Sequence, residues 1–224
     1  MRNFLAAIQV FIGGFTIMVL EIVGARFLAK DFGSSFYVWI SQIGVILIAL
    51  ALGYYFGGAL ADHFKRTSFL AWLLIPIGFY TIFIPRLELL TGWGLLKIPG
   101  FAPSILDAIV MRHPLEEPIP MIWQKLDPAI GSAVFFFLPC FVLAILSPFM
   151  IRLASTKLSH VGRISGLVYA FSTVGSIAGV FISGYILIDS FKISEIIASM
   201  GILMVLLGFL SLIMDRYFDN IESV

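Results

Sequence analysis

Long uncharged stretches make up most of the chain, and the charged residues are confined to the segments between them. Six stretches contain no Asp, Glu, Lys or Arg: Phe4–Leu20, Phe32–Ala61, Thr67–Pro85, Pro128–Ile151, Ile164–Ile188 and Ile196–Met214. A helix needs roughly 20 apolar residues to cross the hydrocarbon core of a bilayer. Each stretch therefore predicts one transmembrane helix, with the second preceded by a turn at Gly33–Ser35. The pattern indicates an all-α polytopic membrane protein with six transmembrane helices.

Composition supports this interpretation and excludes several classes of protein. The chain is 60% hydrophobic and 12% charged, about half the charge of an ordinary soluble domain. A net charge of +1 gives no basic surface for nucleic acid. Cys140 is the single cysteine, and the three histidines lack the spacing of metal ligands. We therefore expect no metal site, no cofactor and no nucleic-acid partner.

The distribution of positive charge predicts the orientation in the membrane. With six spans, one side of the membrane receives Arg2, Lys65, Arg66, Arg152, Lys157, Arg163 and Arg216. We expect that side to be the cytoplasm, with both termini there, in a cell-membrane protein whose residues 1–224 form one domain. Residues 86–127 are then an extracytoplasmic insertion rich in proline. Within it, Ser104–Arg112 has the pattern of a short interfacial helix.

Small residues at helical spacing predict close helix packing. Gly14 lies seven positions before Glu21, Gly53 and Gly57 are four apart, and Gly166, Gly175 and Gly179 follow one helix. Small residues let two membrane helices approach closely. These faces exceed what one bundle needs, so we expect a homodimer or a larger complex in the bilayer.

Glu21 is the candidate buried polar or ligand-binding residue, because a carboxylate in a membrane helix is costly and must face protein or water. It could pair with Arg26, with Gly24 letting the chain turn back, or with Arg152 or a hydroxyl on another helix. It could instead bind a cation, a proton or a polyamine in an inner cavity, or lie at the interface near the outer end of its span. Tyr169, Ser172 and Thr173 either line such a cavity or bond between helices.

The end of the second helix resembles a loop motif of the major facilitator superfamily. The matching residues in "GALADHFKR" are Gly58, Asp62, Lys65 and Arg66. In that family the glycine lets two helices touch, the aspartate caps or pairs across helix ends, and basic residues follow. The sequence departs from the motif at His63, where a basic residue is usual, and at Lys65, which replaces a usual glycine.

More than half of the chain resembles the membrane domain of multi-pass spermidine-synthase-like proteins. The resemblance lies in "LEIVGARFLAKDFGSSFYVW", in "LPCFVLAILSPFMIRLA" and in "VGRISGLVYAFSTVGSIAGVFISGYILI". It is carried by Glu21, Arg26, Gly33, Ser34, Ser35, Pro139, Pro148, Gly166, Tyr169, Thr173, Gly175 and Gly179. In that family such helices precede a soluble aminopropyltransferase-like domain, whose nucleotide and amine sites have no counterpart in this sequence. We therefore expect no enzymatic activity from this polypeptide.

Two functions agree with these observations. The first is a non-catalytic membrane subunit or scaffold that anchors a partner, such as a soluble aminopropyltransferase-like protein. The alternative is a half-size transporter or flippase-like protein that works as an oligomer, for polyamines or other cations.

Overall fold

Six long helices make up the part of the chain that the computed structural model describes, residues 2–92, 121–155 and 161–218. They are α1 (Arg2–Phe32), α2 (Phe36–Phe64), α3 (Ser68–Gly92), α4 (Met121–Ala154), α5 (Val161–Ser190) and α6 (Ile193–Phe218). All six contain a stretch long and apolar enough to cross a bilayer. The predicted all-α fold with six transmembrane helices is confirmed.

The first helix is longer than the uncharged stretch that predicted it. It continues without a break through Glu21, Gly24 and Arg26 to Phe32. The predicted turn follows at Gly33–Ser35, where Gly33 has a φ of 75°, a conformation that glycine adopts without steric cost. The expectation that the chain turns back at Gly24 is wrong.

The predicted insertion at 86–127 overlaps both neighbouring helices. Its first residues belong to α3, which runs through Pro85 to Gly92, and its last residues belong to α4, which begins at Met121. The proposed short helix Ser104–Arg112 lies outside the described residues.

A π-helical segment, Ala133–Phe137, interrupts α4. In such a segment each carbonyl pairs with the N–H five residues further on. For Val134 that residue is Pro139, which has no N–H. The Tyr80 hydroxyl of α3 donates to the Val134 carbonyl instead, at 2.5 Å. The proline thus explains both a free carbonyl within α4 and the contact that satisfies it.

The helices pack in three pairs: α1 with α5, α2 with α4, and α3 with α6. Helix α1 also contacts α2, α4 and α6. In the most apolar stretches of α1 and of α4, 61% of the residues are buried, against 28% in α2 and 17% in α5. Helices α1 and α4 therefore form the centre of the bundle, and α2 and α5 present the largest exposed faces.

Glycines bring the helices of two pairs into backbone contact. Between α1 and α5, a Cβ added to Gly175 would overlap the carbonyl oxygen of Phe11. Between α3 and α6, a Cβ added to Gly201 would lie 2.7 Å from the carbonyl oxygen of Gly78. Neither pair could approach this closely with larger residues at these positions.

The third pair repeats the contact pattern of the first. In α2, Gly53 and Gly57 meet the α4 backbone at Phe141 and Ile145, two residues that are themselves four apart. In α5, the glycines four residues apart, Gly175 and Gly179, meet the α1 backbone at Phe11 and Phe15 in the same way.

The pairing of the whole bundle follows the same symmetry. Exchanging α1–α3 with α4–α6 converts the pair α1/α5 into α4/α2 and leaves α3/α6 unchanged. Because each unit has three helices, the second unit crosses the membrane in the opposite sense to the first. This is the arrangement of an inverted repeat.

Candidate functional site

Glu21 lies well inside α1. The apolar helix Phe4–Phe32 has 29 residues and is therefore roughly 43 Å long, compared with about 30 Å for a hydrocarbon core. Glu21 is roughly 16 Å from the end at Phe32, at about 1.5 Å per residue. Glu21 therefore lies about three helical turns before the end of α1, and its position relative to the membrane interface stays a prediction.

No described residue forms an ion pair or a hydrogen bond with Glu21. Arg26 is exposed and lies five positions further on, which is about 140° around the helix. Arg152 pairs with Asp62, with Nε 2.5 Å from Oδ1. Both arginines suggested by the sequence are thus directed elsewhere.

The face of α1 that carries Glu21 packs against α5 two turns earlier, at Gly14. Gly14, one heptad earlier on the same face, packs against α5, where Ser176 Oγ donates to its carbonyl at 3.3 Å. A Cβ on Gly14 would overlap the carbonyl oxygen of Ser172. Glu21 itself is half-buried, and its orientation toward other helices stays a prediction.

A buried polar cluster joins α1, α2 and α4 beside Leu20, the residue that precedes Glu21. Ser132 Oγ of α4 donates to Gln42 Oε1 of α2 at 2.6 Å, and Gln42 Nε2 donates to the Leu20 carbonyl of α1 at 3.4 Å. Gln42 and Ser132 are completely buried. Gly24 makes the contact possible, because a Cβ there would overlap Gln42 Nε2.

This cluster was not among the predicted sites. Its signal was present as two polar residues, Gln42 and Ser132, within stretches that are otherwise almost entirely apolar. Polar side chains in such stretches are expected to bond between helices.

The three polar residues proposed on α5 do not converge on Glu21 as one group. Tyr169 is 55% exposed. Thr173 is exposed and donates to the Tyr169 carbonyl of its own helix at 2.8 Å. Ser172 is the member that approaches α1, through its backbone at Gly14.

Two residues of the loop motif have a clear structural role. Asp62 at the end of α2 pairs with Arg152 at the end of α4, across helix ends. Lys65 caps α2 in the left-handed conformation, with a φ of 42°, and its N–H donates to the Ala61 carbonyl at 3.4 Å. A glycine is favoured at such a position, because the left-handed conformation strains other residues.

The glycine of the motif, Gly58, does not pack between helices. A Cβ added to Gly58 would meet nothing within 4 Å, whereas Gly57 is the residue that packs against α4. Arg66 makes an interaction within the protein.

The glycines proposed for helix packing divide into two groups. One group packs between helices of this chain: Gly14, Gly53, Gly57, Gly175 and Gly179. The other contains Gly166 of α5: a Cβ there would meet nothing within 4 Å, and the same is true of Gly162 and Gly184 on the same helix. The glycines of the first group pack within a single copy of the chain. They therefore give no reason to expect association with a second copy.

The described residues contain no group of three His, Cys, Asp or Glu side chains that could hold a metal ion. Comparisons with protein-family models, with curated proteins and with solved structures find no match to this chain.

Proposed function

We propose that this chain is half of a transporter-like assembly, in which two six-helix bundles together carry a cationic solute across the membrane. The observation that carries the proposal is the inverted repeat in the helix pairing, with its matching glycine contacts in α2 and α5. Secondary transporters are commonly built from such repeats and bind their substrates near the midplane, where the repeats meet. The resemblance of the α2 end to the major facilitator motif supports the same conclusion.

The position of Glu21 supports a cationic solute. The carboxylate lies on the central helix α1 and has no positive partner among the described residues. A cation entering between the repeats would supply the missing charge.

We further propose that both termini are cytoplasmic. The basic residues at the ends of α2 and α4 support this orientation. A cysteine introduced at His160 should then be labelled by an impermeant reagent only from the cytoplasmic side.

Transport is tested by reconstituting the purified protein in liposomes with an inside-negative potential and measuring uptake of labelled spermidine and methylammonium. We expect saturable uptake that Glu21→Gln abolishes. Glu195→Gln is the control, because Glu195 lies at the exposed start of α6 and bonds locally to the Lys192 N–H at 3.1 Å. Uptake that is equal in protein-free liposomes, or equal in the Glu21 variant, would contradict the proposal.

A scaffold subunit that anchors a partner protein is the second candidate. It is favoured by the exposed faces of α2 and α5, where 72–83% of the residues in the most apolar stretches are not buried. Purification from the native membrane separates the two functions. A stoichiometric partner, such as an aminopropyltransferase-like protein, combined with absence of uptake would favour the scaffold.

A further inference from the structure

We propose that the π-helical turn of α4, Ala133–Phe137, is a register device that decides which residue of α4 faces Gln42 of α2. In the π form of the turn that residue is Ser132, and in an α form it would be Ala133. The device controls the assembly of the buried polar cluster of α1, α2 and α4, and it does not depend on the proposed transport.

The part of α4 before the turn, Met121–Ser132, contacts α2 through Lys125 and Ser132. Ser132 Oγ donates to Gln42 Oε1 at 2.6 Å, and Ser41 Oγ donates to the Lys125 carbonyl at 3.3 Å. Lys125 and Ser132 are seven positions apart, so they lie within about 20° of each other around the helix axis. This side of the first part therefore faces α2.

The part of α4 after the turn, Leu138–Ala154, also contacts α2. A Cβ on Gly53 would lie 2.5 Å from the Phe141 carbonyl oxygen, and a Cβ on Gly57 would lie 2.9 Å from the Ile145 Cα. The Phe141 side of the second part therefore faces α2. Helix α4 thus contacts α2 on both sides of the π turn.

An uninterrupted α-helix would not present both of these sides to α2. Ser132 and Phe141 are nine positions apart, and at about 100° per residue they would lie about 180° apart, on opposite sides of α4. A π turn closes its hydrogen bond over one residue more than an α turn. The extra residue reduces the separation to about 80°. It reduces the separation of Lys125 from Phe141 in the same way, from about 160° to about 60°.

Conversion of the turn to an α-helix would exchange the residue that faces Gln42. Ala133 is eight positions before Phe141, so an α form would place it at about 80°, the angle that Ser132 has in the π form. Ala133 has no polar side-chain group, and Gln42 Oε1 would lose the hydroxyl that donates to it. In the present register Ser132 is completely buried and Ala133 is exposed.

Pro139 and Tyr80 both favour the π form. In an α form the Pro139 ring would clash with the Phe135 carbonyl, four residues earlier, and would leave that carbonyl without a donor. In the π form the Phe135 carbonyl is directed to the N–H five residues further on. The Tyr80 hydroxyl donates to the Val134 carbonyl, which in an α form would accept the N–H of Leu138 instead.

Crosslinking measures the register in the purified full chain in lipid nanodiscs, in a background without native cysteine. Gln42→Cys is combined with Ser132→Cys in the first pair and with Ala133→Cys in the second, and a short bismethanethiosulfonate reagent is added. With Pro139 and Tyr80 in place, we expect the first pair to crosslink and the second to stay largely unlinked. In the double variant Pro139→Ala/Tyr80→Phe this preference should invert.

A rescue experiment tests the same register with Gln42 intact. Ala133→Ser should raise the melting temperature of the double variant, because in the α form the new hydroxyl replaces the lost partner of Gln42. In the wild-type protein the same substitution should leave the melting temperature nearly unchanged, because Ala133 is exposed there. A local loss of packing at Pro139 or Tyr80 would give Ala133→Ser the same effect in both backgrounds.

Deletion of Ala133 from the double variant supplies the reverse change. It removes the extra residue, so a continuous α-helix places Ser132 eight positions before Phe141 and returns it to Gln42. The deletion should therefore restore crosslinking of the first pair, and it decides the question if the double variant does not fold.

Three results would overturn the inference. The first is an unchanged crosslinking preference in the folded double variant. The second is an equal effect of Ala133→Ser in the two backgrounds. The third is a deletion variant that does not fold or does not crosslink through the first pair. Uptake in liposomes tests the proposed function separately, since none of these measurements requires transport.

Discussion

The hydroxyl of Tyr80 on α3 donates to the carbonyl of Val134 on α4, at the one turn of α4 where Pro139 removes the backbone donor. The contact connects α3 and α4 at the carbonyl that Pro139 leaves without a helical N–H partner. A hydrogen bond of this kind stabilises a membrane protein by about 1 kcal/mol.

Tyr80→Phe should therefore lower the melting temperature measured in detergent, by an amount corresponding to about 1 kcal/mol. Tyr185→Phe is the matched control, because the Tyr185 side chain is 75% exposed and stacks on Phe181 through its ring.

A double-mutant cycle tests the role of the proline. Pro139→Ala restores an N–H that the Val134 carbonyl can accept, so Tyr80→Phe should cost less in that background. Equal costs in the two backgrounds would show that the missing N–H is not the reason for the contact.

Glycines of α5 should differ sharply in their tolerance of alanine. Gly175→Ala places a methyl group against the Phe11 carbonyl and should destabilise the bundle, because two packed backbones must separate. Gly184→Ala places the same group in open space. It should be neutral or stabilise the helix by up to about 1 kcal/mol. Thermal unfolding of both variants at equal protein concentration measures the difference. Similar melting temperatures would argue against the α1/α5 contact.

The same pair of variants bears on assembly. Because Gly175 is used between α1 and α5, its loss should reduce the stability of each copy before it affects the association of copies. Native mass spectrometry of Gly175→Ala should show unfolding and not a clean conversion of oligomer to intact monomer.

Lys65→Gly should stabilise the protein. Lys65 has a φ of 42° at the end of α2, and the left-handed conformation costs a residue with a Cβ about 1 kcal/mol relative to glycine. Lys65→Ala is the control, since it removes the charge but keeps the Cβ that causes the strain. A higher melting temperature for the glycine variant than for the alanine variant is expected. If the two variants are equal, charge and not backbone strain determines the effect at this position.

The sequence by itself determined the medium, the fold class and the number of spans. Uncharged stretches of bilayer length form helices in lipid, because every backbone polar group must then be paired within its own helix. The turn at Gly33–Ser35 could also be predicted, from glycine chemistry, and so could the packing of Gly14 against another helix. The ends of helices could not, because charged residues such as Arg86 are tolerated in a helix near the membrane surface.

Tertiary structure decided which helices pair and which polar groups meet. Gly57 and Gly58 are adjacent and chemically identical. Only the position of α4 explains why Gly57 packs against another helix and why Gly58 has no neighbouring helix within 4 Å. From the sequence, Arg152 of α4 could pair with Glu21 of α1 or with Asp62 of α2, and only the parallel packing of α2 against α4 brings it to Asp62. Two helices pair when their surfaces are complementary in shape. The sequence shows which residues each helix surface carries, but not which other surface it contacts.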